Sequence, residues 1–119
     1  TPDRVKKVWQ ACLAEMDAAS LAGHFHNTYG MAIANIYQSL EQGIRVFDSS
    51  IAGLGGCPYA KGASGNVSTE DLYYLLSNMG YDTGIDLDAL MIASQNISQV
   101  LQRTNPSNYA NAYWQKRCA

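Results

Sequence analysis

The feature that most constrains the fold of this chain is an alternation of hydrophobic periods. Residues 21–26 (LAGHFH) and 44–48 (IRVFD) are short apolar or β-branched runs, and each follows a segment of helical spacing. Thr1 and Pro2 supply a cap and a first helical residue, and Val5, Val8, Trp9, Cys12, Leu13 and Met16 then form one apolar stripe. Asn27 and Thr28, both good caps, precede a second helical pattern in Ile33, Ile36, Tyr37 and Leu40, which Gly43 ends. Helix, strand, helix, strand is the order of a parallel sheet covered by helices, because parallel neighbours need a crossover that is usually helical. The fold class expected from this order is α/β.

The alternation breaks at residues 49–66 (SSIAGLGGCPYAKGASGN), where five glycines and a proline leave no periodicity. A loop of this length inside a compact chain is usually functional or disordered. It is bounded by Ser68, Glu70 and Asp71 (STED), a capping hydroxyl with acidic residues where the positive end of a third helix favours them, and Gly80 closes that helix. Asp86 caps a fourth helix whose apolar face is Leu87, Leu90, Met91, Ile97, Val100 and Leu101, and Asn105-Pro106 introduces a short terminal helix in which Trp114 is expected to dock. No internal repeat or flexible linker divides the chain, and residues 1–119 read as a single domain.

Composition narrows the function classes. With 47% hydrophobic and 15% charged residues and a net charge of −2, the chain is of globular type, and its scattered Lys and Arg offer no footprint for nucleic acid or an anionic membrane. No apolar run approaches the ~20 residues that span a bilayer, and no basic segment with an apolar signal core opens the sequence, so an intracellular protein is expected. Cys12, Cys57 and Cys118 are odd in number and widely spaced, which suits neither a disulfide framework nor a paired zinc motif, and reduced thiols are expected. The glycosylation patterns at Asn66 and Asn96 matter only in a secreted protein.

Two places could carry chemistry. His24 and His26 lie two apart on an expected strand, so their side chains share one face while Phe25 takes the other, and two imidazoles on one face can share a metal. A pair of hydrogen-bonded or exposed histidines has the same spacing, but the C-terminal end of a strand entering a capped helix is where parallel α/β folds collect ligands. Cys57 lies in GGCPYA, between Gly56 and Pro58, where a thiol could face a ligand instead of packing in a stripe; an incidental loop thiol fits the same residues. Cys12, in an apolar helical stripe, is expected in the core. Gly53, Gly55 and Gly56 could be taken for a phosphate cradle, but no third glycine sits at the dinucleotide offset and no helix opens there. Asp48 closes its strand and could be a ligand, a base or a turn cap; sequence alone leaves it unassigned.

The stretch HFHNTYGMAIAN, with VFDSSIAGLGGCPYAKGASGNVSTEDL after it, closely resembles the last two strands of the 3-hydroxy-3-methylglutaryl-CoA lyases, metal-dependent members of the aldolase-like (β/α)8 barrels. The likeness covers roughly residues 1–101 and is strongest from 24 to 72. Acetyl-CoA-condensing synthases share the H-x-H-N start but not the cysteine loop, so the loop discriminates. The resemblance implies C-terminal βα units of a (β/α)8 TIM barrel with extra C-terminal helices, an incomplete barrel. It implies that His24, His26 and Asn66 are ligands to a divalent cation, Mg²⁺ or Mn²⁺, that Cys57 is a catalytic thiol, and that His24 adds acid–base help. Two imidazoles alone would instead suggest zinc or iron.

The reaction so implied cleaves 3-hydroxy-3-methylglutaryl-CoA to acetoacetate and acetyl-CoA, with an acyl-CoA as the small-molecule partner, in bacterial cytoplasm or the mitochondrial matrix. A (β/α)8 barrel needs ~250 residues, and this chain supplies two strands. The family's first-strand arginine and metal-binding aspartate have no equivalent here, so the isolated chain is expected to be inactive or weak. Two parallel strands also leave open edges and a bare inner face, which self-association or the remainder of the barrel would cover. A non-catalytic metal-binding or assembly module derived from such a lyase, or a fragment of a condensing synthase, are the alternatives.

Overall fold

The computed structural model describes residues 1–56, 62 and 64–118. They fall into two compact units, Thr1–Asp48 with Gly56–Asn66, and Ser49–Gly55 with Val67–Ala119.

In the first unit, helix α1 (Pro2–Leu13) opens on Thr1, whose carbonyl accepts from the amides of Arg4 and Val5, each at 3.1 Å. Its buried residue is Trp9, whose indole N–H donates to Ser39 Oγ at 2.6 Å while that hydroxyl donates to the Asn35 carbonyl at 2.7 Å. A buried indole N–H needs such a partner. The expected stripe is only partly inside. Val8 lies at its edge and Met16 beyond the end of the helix, and both are exposed, while Cys12 is half-buried.

Strand β1 (Ala22–His24) leads through a turn at Gly30, φ +70°, into helix α2 (Ala32–Glu41). Gly43, φ +88°, ends the helix as expected, because only glycine adopts that conformation without strain. Strand β2 (Val46–Asp48) then pairs parallel to β1 in the register Ala22 to Val46, Gly23 to Phe47 and His24 to Asp48. Ala32, Ile36 and Ile44 are fully buried and, with Leu40, form the core, each large apolar side chain contributing about 1.5–3 kcal/mol by leaving water. Gly23 is buried under aromatic rings: a Cβ there would stand 2.8 Å from Phe47 Cδ1 and 2.9 Å from Phe25 Cε2.

Both strands are shorter than their sequence runs. The ladder reaches its last rung at Asp48, so Phe25 and His26 have no partner on β2. Ala22, His24, Val46 and Asp48 share the opposite sheet face, and all four are exposed. This is the bare inner face expected of an incomplete barrel.

The second unit is helical. A single 3-10 turn, Ile51–Gly53, holds Ala52 at φ +53°, unfavourable for a side-chain-bearing residue. Helix α3 (Thr69–Asn78) is capped by Ser68, whose hydroxyl accepts from the Asp71 amide at 3.2 Å. Glu70, an acid in the first turn as its position suggested, is fully buried. Its carboxylate accepts from the Ala52 amide at 2.9 and 3.1 Å, from the Ser94 hydroxyl and from Asn105 Nδ2 at 3.4 Å.

Helix α4 (Leu87–Val100) is capped by Asp86, which accepts from the Ala89 amide at 2.9 Å. Leu90, Met91 and Ser94 are its buried residues, whereas Val100 and Leu101, expected on the apolar face, are exposed. The inward face is partly polar because it delivers Ser94 to Glu70. Helix α5 (Asn108–Cys118) docks through its start more than through Trp114: buried Ser107 donates to Asp71 Oδ1 at 2.8 Å, the Tyr109 amide donates to the same oxygen at 2.9 Å, and Ala110 is buried. Farther along, the Tyr113 hydroxyl and Arg117 both donate to Asp88. The hydroxyl and then the guanidinium hold that carboxyl below its ordinary range, and donation to Asp88 holds the Tyr113 phenol above its own.

Candidate functional site

The exposed end of the β1–β2 ladder belongs to the first unit, and there the chain gathers groups that can bind and orient. His24 sits on the last rung of β1 with Asp48 opposite it, and Asp48 Oδ2 lies 3.2 Å from His24 Nδ1. A carboxylate can only accept, so Nδ1 carries the hydrogen. The side chains of His24 and Asp48 are 55% and 67% exposed.

His26 has left the sheet and makes an antiparallel bridge with Asn66. Residues 26–28 and 64–66 are closed on each other by three further bonds. The Asn27 amide donates to the Gly65 carbonyl at 3.0 Å, the Ser64 amide donates to Thr28 Oγ1 at 3.3 Å, and His26 Nδ1 lies 2.9 Å from the Ser64 carbonyl. That carbonyl also only accepts, so His26 too carries its hydrogen on Nδ1. Asn27 and Thr28, expected to cap α2, thus belong with His26 to a clasp on residues 64–66. Only Asn27 keeps a capping role, its Oδ1 accepting from the Ala32 amide at 3.2 Å.

The two imidazoles stand edge to face with centroids 5.3 Å apart. With both Nδ1 atoms engaged, each neutral ring presents a bare Nε2, the lone pair that a metal or an acidic proton can use. Asn66, bridged to His26, is half-buried. Among the described residues no group of three or more His, Cys, Asp and Glu side chains is arranged to hold a metal ion. Two imidazoles and the amide bridged to one of them are a donor set that fits part of a divalent-cation site and does not complete one.

Of the residues singled out in the sequence, His24 meets His26 and His26 meets Asn66, and Cys57 lies outside the described residues. Of the glycine cradle, the Gly53 amide is already bonded to the Ser50 carbonyl at 3.0 Å. Asp48 and the Ser64 carbonyl, the two orienting groups, were not assigned from sequence. Asp48 could have been placed near the histidine pair, since parallel pairing brings the ends of the two runs to the same end of the sheet, but the rung it shares with His24 is set by the register. No described helix is long and apolar enough to cross a membrane.

Residues 1–97 match the model of the HMGL-like family. The chain is 55% identical over 106 residues to hydroxymethylglutaryl-CoA lyase of Pseudomonas mevalonii, covering 89% of this chain and 35% of that protein. Against the mitochondrial hydroxymethylglutaryl-CoA lyase of Rattus norvegicus the identity is 51% over 112 residues, covering 94% of this chain and 34% of that protein. The crystal structure of hydroxymethylglutaryl-CoA lyase from Pseudomonas aeruginosa superposes with a TM-score of 0.91 at 52% identity, covering 98% of this chain and 39% of that one. The chain thus spans about a third of the length of the curated relatives it matches. Its parallel strands and helices are part of a TIM barrel of this family, as the motifs implied.

Proposed function

The chain belongs to the HMGL-like family, and from that premise we propose that it carries the ligand-binding and proton-transferring end of an enzyme that cleaves 3-hydroxy-3-methylglutaryl-CoA to acetoacetate and acetyl-CoA. The observation that carries this is the pair of histidines with both Nδ1 atoms bonded to fixed oxygens and both Nε2 atoms left for a ligand.

His24 and His26 through Nε2, and Asn66 through its side-chain oxygen, would hold a divalent cation, Mg²⁺ or Mn²⁺, together with a carboxylate from outside these 119 residues. When bound, such an ion supplies Lewis-acid polarisation of the substrate's hydroxyl and carboxylate oxygens. His24 keeps one nitrogen for this work because Asp48 occupies the other, so it serves as ligand or as acid–base group at any one moment and not as both. We place it as ligand and assign proton transfer to Cys57.

In the reaction the bond between C2 and C3 breaks, the C3 oxygen becomes a ketone, and the electron pair of the broken bond passes to the thioester fragment as an enolate. The Cys57 thiol gives its proton to that carbon and recovers the proton released from the hydroxyl, so products and substrate hold the same atoms. The exposed face of Ala22, His24, Val46 and Asp48 and the open edges of a two-stranded sheet support a shared site, covered by the rest of a barrel or by a second copy. For location we propose bacterial cytoplasm or the mitochondrial matrix, supported by the bacterial and mitochondrial relatives above.

The test is acetoacetate release from 3-hydroxy-3-methylglutaryl-CoA with Mg²⁺ or Mn²⁺, in the full-length protein and its Cys57→Ala and His26→Ala variants. Release above both variants is expected. An equal background in all three overturns the lyase assignment and leaves a non-catalytic metal-binding or assembly module.

A further inference from the structure

We propose that Asp48 is the positioning residue for His24: it fixes the hydrogen on Nδ1, holds the ring plane and so presents Nε2 outward. Parallel register puts the two residues on one rung and one face of the sheet, and Oδ2 lies 3.2 Å from Nδ1. Both sit on strands, which set their backbone direction more tightly than a loop would.

Asp48 does not act as a ligand in place of His24. The two ring nitrogens point in diverging directions, so an oxygen bonded to Nδ1 stands away from whatever Nε2 binds. Nor does Asp48 hold the fold together. Its side chain is two-thirds exposed, and exposed pairs of this kind contribute little to stability. What remains for it is orientation. A neutral imidazole without a partner favours the hydrogen on Nε2, the tautomer that cannot bind a metal there. A carboxylate on Nδ1 reverses that preference, the role that acidic partners of ligating histidines commonly fill.

His26 shows the alternative solution to the same need, since a backbone carbonyl, that of Ser64, performs the task for it. Because that acceptor belongs to the main chain, no substitution removes it, whereas the His24 arrangement depends on one replaceable side chain. The proposal rests on the lyase assignment for the use to which Nε2 is put, and on geometry alone for the tautomer.

The experiment separates these. Full-length protein with ¹⁵N-labelled histidine is studied by two-bond ¹H–¹⁵N correlation at a pH where the rings are neutral, as wild type, Asp48→Asn and Asp48→Ala. Mn²⁺ affinity is measured on the same samples by electron paramagnetic resonance. The expected result is His24 with its hydrogen on Nδ1 in wild type and in Asp48→Asn, whose amide oxygen still accepts. Asp48→Ala moves it toward Nε2 and weakens Mn²⁺ binding by about 10- to 100-fold, the range for loss of an orienting partner. His26 keeps its tautomer in all three. A wild-type His24 protonated on Nε2, or an Asp48→Ala variant with unchanged tautomer, overturns the proposal. A tautomer that moves as expected in a protein that binds no Mn²⁺ upholds the positioning role and overturns the metal assignment instead.

Discussion

In the first unit Asp48 meets His24 at 3.2 Å with both side chains more than half exposed, whereas in the second Glu70 is fully buried and its carboxylate is filled by the Ala52 amide, the Ser94 hydroxyl and the Asn105 amide. Each is a carboxylate with defined donors, yet solvent makes their uses differ. An exposed pair contributes at most about 1 kcal/mol, so it can set direction without being needed for folding. A buried acceptor leaves every donor around it desolvated, and removing it costs about 1–3 kcal/mol for each donor left unsatisfied. Of these two carboxylates, the exposed one meets a side chain and the buried one also holds backbone. Around Glu70 the held backbone is the left-handed Ala52, whose carbonyl also accepts from Arg103 Nη2 at 3.1 Å.

The contrast can be broken most sharply by exchanging what is lost. Replacement His26→Ala should lower Mn²⁺ affinity by more than the ~10–100-fold that losing a mere orienting partner costs, while denaturant titration finds stability changed by less than about 1 kcal/mol, as for a partly exposed site. A large loss of stability would show that the clasp on residues 64–66 is structural first. Replacement Glu70→Ala should do the reverse in the second unit, lowering stability by on the order of 3 kcal/mol in urea titration as several buried donors lose their acceptor. A loss near zero would mean that water enters and replaces the carboxylate.

A smaller effect is expected from Gly23→Ala. The added methyl meets two phenylalanine rings at under 3 Å, so the rings must shift and stability should fall by about 1–3 kcal/mol, the usual range for overpacking. If thermal unfolding is unchanged, the rings are free to move and Gly23 is not needed for their packing.

The smallest effect concerns Asp88. Because its folded-state carboxyl titrates below the ordinary range, its contribution to stability is complete above that range and is lost as pH falls through the depressed value. Replacement Tyr113→Phe removes the largest cause and should raise the Asp88 titration toward the ordinary range, read by carboxyl NMR. No upward movement would show that Arg117 alone sustains the shift.

Much of the fold was legible because its signals are local. Helical spacing, Gly43 and the two apolar runs give α1, β1, α2 and β2 in order, and Ser68 and Asp86 cap α3 and α4 as their positions suggest. The histidines were legible for the same reason, being two apart. What was not legible depends on tertiary partners. Strand length is set by where the neighbour ends, so His26 fell outside the sheet. Glu70 looks like any acid at a helix start, and nothing near it in sequence announces that Ser94 and Asn105 will surround it. Val100 and Leu101 fit the apolar period of α4 but lie beyond the part of that helix that packs.

The parallel ladder has three rungs, and it stops between the two histidines. His24 therefore answers to the strands, while His26 answers to residues 64–66, at the far end of the cysteine loop. The two imidazoles are thus oriented by separate parts of the first unit, one by a side chain on the neighbouring strand and the other by the main chain of Ser64.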